Sequence, residues 1–341
     1  MTTPLHFLAY ALNPKYYSSE IVGRAGRQRP YDDHEVANGT RLAFRRLFHD
    51  PATSLAVHQG MSMFVNGQGS MGEIEAICDK PTMDSITWWT CHGHDAKFLR
   101  PVAIKLISHA LNALINLCKI NKRRQEQAAE NGIIPHLMHF IVTDSPLKQT
   151  ALPLLCDMAH ASRYTREQLR VHNGLDVYLS LLDDEAWAVT ALDSLAVCLA
   201  HDNDHRKVEQ ALLKKEAIQK LVTFFQCCSE QSFVHILEPF LKIITKSARI
   251  NTTLAVNGLT PLLVARLDHQ DAIARLNLLK LIKAVYEHHP RPKQLIVENA
   301  LPLKLQSLIE ERRDGEHSGG QVLVKQMATA LLKALHINTV L

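Results

Sequence analysis

A short string returns along this chain at a nearly constant interval, and an interval of that length restricts the fold to stacked repeats. Asn131-Gly132-Ile133-Ile134-Pro135 comes back as Asn173-Gly174-Leu175 and as Asn257-Gly258-Leu259-Thr260-Pro261. Weaker copies stand at Glu216-Ala217-Ile218 and Asn299-Ala300-Leu301-Pro302, so the successive offsets are 42, 43, 41 and 42 residues. Arg124, Arg166, Arg206, Arg249 and Arg291 precede the turn on almost the same beat.

Each unit carries its own folding logic. A short helix such as Lys122 to Glu130 ends at Asn-Gly, where glycine can take the left-handed conformation that closes a helix. A proline two or three residues on suits the first turn of the next helix, here Pro135 to Val142, because its missing N–H is harmless there. A longer third helix follows with the strongest apolar pattern of the unit: Ala110 to Lys119, Ala151 to His160, Ala191 to His201, Ile236 to Lys246, Arg275 to His288 and Met327 to Ile337. One unit cannot cover its own apolar faces, so neighbours must stack into a continuous core. Three helices in about 42 residues predict an all-α, armadillo-type (ARM/HEAT-like) right-handed superhelical solenoid of about 5–6 repeats over residues 103–341. Residues 1–102 lack the repeat and are expected to form an irregular, mostly helical N-terminal segment, with Trp88-Trp89 as its core anchor.

Composition agrees and narrows the functions. Hydrophobic residues make up 46% and aromatics only 6% of 341 residues, a mix that suits packed helices better than sheets. The 38 basic and 34 acidic residues leave a net charge of +4, far from the concentrated basic field of a nucleic-acid binder, so no specific nucleic acid is expected. The seven cysteines include no Cys-x-x-Cys pair and several sit in apolar helical stretches, which suggests a reducing compartment. Polar residues interrupt every helical stretch, so no transmembrane segment is expected, and residues 5–12 lack the charge and cleavage site of a secretory signal. The expected location is the cytoplasm, with the plasma-membrane periphery and the nucleus as alternatives.

The stretches NLCKINKRRQEQAAENGIIPHL (116–137), SLLDDEAWAVTALDSLAVCLAHDNDHRKVEQALLKKEAIQKLV (180–222), HILEPFLKIITKSARINTTLAVNGLTPLL (235–263) and RLNLLKLIKAVYEHHPRPKQLIVEN (275–299) closely resemble the C-terminal armadillo region of the epsilon-type plant MAP kinase kinase kinases. These are relatives of the fungal kinases that time septation and cytokinesis. The resemblance covers roughly 225 residues. It implies a regulatory and targeting module in cell-division signalling, separate from the kinase domain, with signalling GTPases or kinase-pathway components as partners. The strings HFLAYALNPKYYSSE (6–20), RLAFRRLFHDP (41–51) and MDSITWWTCHGHDAKFLRPVAIKLIS (83–108) are similar instead to the C-terminal region of plant hAT-type transposase-like proteins, which implies a fused dimerisation or DNA-associated fragment.

Catalytic readings are weak. Gly67-Gln68-Gly69-Ser70-Met71-Gly72 fits G-x-G-x-x-G, and Val102-Ala103-Ile104-Lys105 spells the strand motif of a kinase's phosphate-binding lysine. A kinase also needs a His-Arg-Asp catalytic loop and an Asp-Phe-Gly metal site, and the chain contains neither string. Lys105 instead continues into the helical run Ile104, Ile107, Leu111, Leu114, which makes it a surface lysine, and the glycines read as a flexible loop. Cys78, Cys91, His92 and His94 do not match a zinc-ligand spacing. No enzyme activity, metal or cofactor is expected.

The expected function is therefore a noncatalytic interaction scaffold that holds a protein or extended peptide in the concave groove of the third helices. Positions i, i+4 and i+7 of a helix share one side. Counted from the aligned Ala-Leu of each unit, the candidate groove residues are Asn112, Asn116 and Lys119, then Asp157 and His160, then Asp193, then Glu238 and Lys242. Further along, Leu281 falls where a polar residue is expected, and the stretch Asp314 to Gly320 lengthens the last unit.

Overall fold

The computed structural model describes residues 3–24, 26–143, 145, 147–310 and 319–340, with side chains at all of these except 111 and 336–340. Every regular element among them is helical. By internal packing the chain divides into two compact units, Met1–Asn121 with His139–Leu154, and Lys122–Met138 with Leu155–Leu341.

The first unit is built on an aromatic core. Phe64, Trp88 and Trp89 are fully buried, with ring centroids 4.7–5.6 Å apart in tilted and edge-to-face pairs. A buried indole must find an acceptor, and each does: Trp88 Nε1 donates to the Ala76 carbonyl and Trp89 Nε1 to the Leu12 carbonyl, both at 2.8 Å. Trp88-Trp89 is thus the anchor the sequence suggested. Asp84 starts the Ser85–His92 helix by accepting from the Ile86 and Thr87 amides, and its second oxygen pairs with His139 at 2.8 Å.

The Leu99–Cys118 helix runs without a break across the 102/103 division. By length and composition it is apolar enough to cross a bilayer, with a mean hydropathy of 1.4 over its best window, which the sequence reading did not credit. Leu99 and Ala103 on this helix are fully buried in the aromatic core, while most of its apolar stretch is not buried.

The glycine stretch is not a loose loop. Gly67 closes the Pro51–Asn66 helix in the left-handed conformation, and Met71 is buried. The Ser70 amide donates to Asp95 and its hydroxyl to the His92 carbonyl, both at 2.7 Å. A Cβ on Gly72 would lie 2.0 Å from the Gly67 carbonyl oxygen, so glycine there serves turn closure. Lys105 is an exposed residue of the Leu99–Cys118 helix, as expected.

Three-helix units follow one another through the rest of the chain. The first comprises Lys122–Glu130, Ile133–Val142 and Lys148–Ala159. The second is Arg163–Val171, Gly174–Ser180 and Ala188–His201; the third is His205–Leu212, Lys215–Cys227 and Glu230–Lys246. The fourth is Ala248–Leu254, Thr260–Ala265 and Ala272–His288; the fifth is Pro292–Glu298, Leu301–Glu310 and Gly319–Val340. Successive third helices Ala188–His201, Glu230–Lys246, Ala272–His288 and Gly319–Val340 pack side by side. Their inner faces are buried at Leu192 and Leu195, Leu237 and Phe240, Leu278 and Leu281, Val324 and Ala328. This is an all-α armadillo-type solenoid. The stretch Asp314 to Gly320 lies, as far as Ser318, outside the described residues.

Three expectations are corrected in detail. The turn glycines Gly132 and Gly258 do take positive φ, 79° and 104°, but in the second unit Asn173 takes it (62°) while Gly174 begins the next helix. Gly174 is needed there because a Cβ would lie 2.8 Å from the Leu169 carbonyl oxygen. The arginine beat is not a structural one: Arg124 is the third residue of its helix, Arg166 the fourth, Arg206 and Arg249 the second, and Arg291 precedes its helix. The equivalent position is the fourth, occupied by Gln125, Arg166, Val208, Asn251 and Leu295, all buried. Finally, Leu281 is buried in the place of Pro239, with Ile282 in that of Phe240, so the register of the Ala272–His288 helix differs by three residues from the alignment at Arg275.

Candidate third-helix interaction face

Whether a helix face can meet a partner depends on what its outward positions present once the inward ones are packed. On Ala188–His201 the apolar stripe buries Leu192, Leu195, Ala196 and Leu199 and leaves Asp193 and Val197 half-exposed. On Glu230–Lys246 it buries Ile236, Leu237, Phe240 and Ile243, which leaves Glu238 exposed and Lys242 half-exposed.

Stacking then sets these side chains against each other. Lys242 Nζ lies 3.3 Å from Asp193 Oδ1 and 3.4 Å from Glu238 Oε1. His160 Nε2, just past the Lys148–Ala159 helix, lies 3.4 Å from Asp193 Oδ2. Asp193 therefore sits between an imidazole from the preceding unit and an ammonium from the following unit. The lysine charge is favoured by these carboxylates: although partial burial works against it, Asp193 and then Glu238 raise the Lys242 pKa above its usual value. Pairs of this exposure contribute at most about 1 kcal/mol each, so a ligand can replace them at little cost.

Of the residues chosen from the sequence, the structure brings together His160, Asp193, Glu238 and Lys242. Asp157 is exposed one turn before His160 on the same run. Asn112, Asn116 and Lys119 belong to the other compact unit, where Asn116 and Lys119 are exposed and Asn112 half-buried.

The junction beneath this face was not anticipated. Arg166 is 7% exposed; its Nε donates to the His201 carbonyl at 3.1 Å and its Nη1 to the Ala159 carbonyl at 3.0 Å. One guanidinium thus closes the C-terminal ends of two consecutive third helices, whose last carbonyls have no helical partner. Deeper in the core Tyr178 donates to the Leu155 carbonyl, inside the Lys148–Ala159 helix, at 2.6 Å, and burial pushes its phenol well above the usual range. Asn251 donates to the Ala284 carbonyl at 2.8 Å two units on. Cys156 and Cys198 are buried beside this junction, where desolvation pushes both thiols up to about 12 and makes them inert packing groups.

Of the residues weighed for metal, His92 is engaged elsewhere. His92 Nε2 pairs with Asp79 at 2.9 Å, and its ring lies against Trp88. Among the described residues no group of three or more His, Cys, Asp or Glu is placed to hold an ion.

Stacked three-helix units with a polar third-helix face place the chain in the class of armadillo-repeat folds. A solved designed armadillo repeat protein, YIII(Dq.V1)4CPAF in complex with the peptide (KR)4, matches with a TM-score of 0.54 at 19% identity, covering 68% of this chain and 93% of that one. Such identity speaks for the fold alone. In sequence the chain is similar to MAP3K epsilon protein kinase 1 of Arabidopsis thaliana, 85% identical over 231 residues, or 68% of this chain. It is also similar to the cytokinesis protein sepH of Emericella nidulans, 36% identical over 244 residues, or 70% of this chain. The chain spans only 17% of the length of either relative. No protein-family model matches it. Nothing in these comparisons supports the transposase-like reading of the first hundred residues.

Proposed function

We propose that the chain acts as a noncatalytic protein-interaction scaffold in kinase signalling for cell division, and that its third-helix face holds an extended segment of a partner. The observation that supports this most is the ladder His160, Asp193, Lys242 and Glu238, in which solvent-facing polar side chains from three successive units are linked in sequence by contacts of 3.3–3.4 Å. Their mutual pairing is weak enough to be exchanged for a partner's backbone and side chains, and their signs can select its sequence. The peptide held by the designed armadillo protein and the kinase and cytokinesis names of the relatives favour the same reading. A noncatalytic role is supported by the placement of Lys105 on an exposed helical turn and of Gly67 to Gly72 in a closed turn. Signalling GTPases and kinase-pathway components are the partner classes we favour, in the cytoplasm. Asn112, Asn116 and Lys119 would add a polar column of their own in the other compact unit.

The test exchanges the pair. Asp193→Lys with Lys242→Asp keeps an ion pair within the fold while inverting the surface that a partner meets. Affinity capture should lose bound proteins with this exchange and with Asp157→Lys. Retention of every partner by both variants would reject the face as the binding site.

A further inference from the structure

Around the last turn of the Ala188–His201 helix the solenoid collects positive charge that its own acids, Asp202 foremost, offset only in part. Arg166 lies beneath, buried, with both of its hydrogen bonds spent on helix-end carbonyls and no ion pair among the described residues. The acid nearest in sequence to that carbonyl, Asp202, is already held by Arg170 at 3.3 Å and has a side chain fully removed from solvent. Above it, His201, Arg163 and Lys246 are exposed, and neither Arg163 nor Lys246 makes an ion pair among the described residues. Lys242 stands one turn before Lys246 and shares Asp193 with His160.

Helix stability accounts for only part of this. Lys246 and His201 end their helices, where a cation complements the helix dipole. Arg163 is the first residue of its nine-residue helix, the end at which a cation is disfavoured, and that first turn carries no acidic residue. His201 registers the resulting field: partial desolvation and then Arg166, Lys246, Lys242 and Arg163 hold its imidazole below the usual histidine value. The acids named on this side are Asp157, Asp193, Asp202 and Glu238; Asp202 is held by Arg170 and acts on Arg166, and Asp193 and Glu238 are engaged with Lys242 and His160.

We propose that Arg163, His201 and Lys246, with Lys242 released from Asp193, form a docking point for an acidic peptide segment whose carboxylate or phosphate oxygens pair with these exposed cations. This rests on the third-helix face as the partner surface and specifies the partner's chemistry there. Arginine offers a two-pronged donor to such oxygens and the lysines act as point charges. A (KR)4-type peptide, as held by the designed armadillo protein, is disfavoured at this point.

The experiment measures fluorescence anisotropy of the full chain with labelled octaglutamate, a serine-glycine peptide carrying two phosphoserines, the same peptide unphosphorylated, and (KR)4. Arg163→Glu with Lys246→Glu is compared with the equally charged control Lys215→Glu with Lys304→Glu, both pairs lying at exposed positions. At least one anionic peptide should bind, and its affinity should fall about tenfold or more in the first variant and much less in the control. The stronger of the two anionic probes distinguishes carboxylate from phosphate as the source. The proposal is overturned if neither anionic peptide binds, or if the control loses as much as the site variant. If the Asp193/Lys242 exchange releases a captured partner that the Arg163/Lys246 variant keeps, the face survives and the anionic docking point does not.

Discussion

Arg166 joins two repeats through a single planar cation. Its removal leaves the Ala159 and His201 carbonyls without their donor at a buried junction. Arg166→Met keeps much of the apolar stem, so its cost isolates the hydrogen bonds: about 2–4 kcal/mol for two charge-assisted bonds, read from urea unfolding followed by circular dichroism. A cost below about 0.5 kcal/mol would assign the junction to packing alone. His201 gives the pH dependence. Its folded-state pKa is lowered, so on acidification through the ordinary histidine range the unfolded chain takes up the proton first, and stability falls until the folded-state value is passed. Histidine NMR should show the His201 resonance titrating below the free value and moving upward in Arg163→Glu with Lys246→Glu. These roles were only partly legible beforehand. Arginines were visible as a periodic marker, yet whether a residue falls third, fourth or second in its helix decides whether it points inward, and caps shift that phase by one or two residues.

At the scale of elements, the third helices were the most legible feature, because burial on one face imposes a strong apolar period. The turns were legible to the extent that glycine marks positive φ. They failed where Asn173 and Ala300 adopt positive φ instead, at 62° and 47°. Register slipped on Ala272–His288 because Arg275 is buried and bonded to the Gln270 carbonyl and to Gln321, a polar residue acting as core. The groove residues on neighbouring third helices could be chosen from periodicity, but the pairing of Lys242 with Asp193, 49 positions apart, depends on stacking offsets that no local pattern encodes. The same limit hid the pairing of Asp84 with His139, 55 positions away. Asp84 both caps a helix and holds that imidazole, and its side chain is almost fully buried. Asp84→Ala should therefore cost about 2–4 kcal/mol, more than an exposed cap, as measured by thermal and urea unfolding. Asp84→Asn should recover a large part of that loss, since it still accepts from the helix amides; no recovery would place the effect in the His139 pair.

At the scale of the whole molecule, the repeat places one solvent-facing stripe per unit on successive third helices, and the proposed partner site lies on that stripe. The partner's place on that surface is the central claim. The most direct measurement puts a photo-crosslinking amino acid at Asp157 and Glu238 on the third-helix face and, for comparison, at Gln219 and Lys304 on second helices, all exposed, and quantifies adducts with partners captured from cells. Adducts should form at Asp157 and Glu238 and be at background at Gln219 and Lys304. Equal yields at the four positions, or yields concentrated on the second helices, would contradict the account.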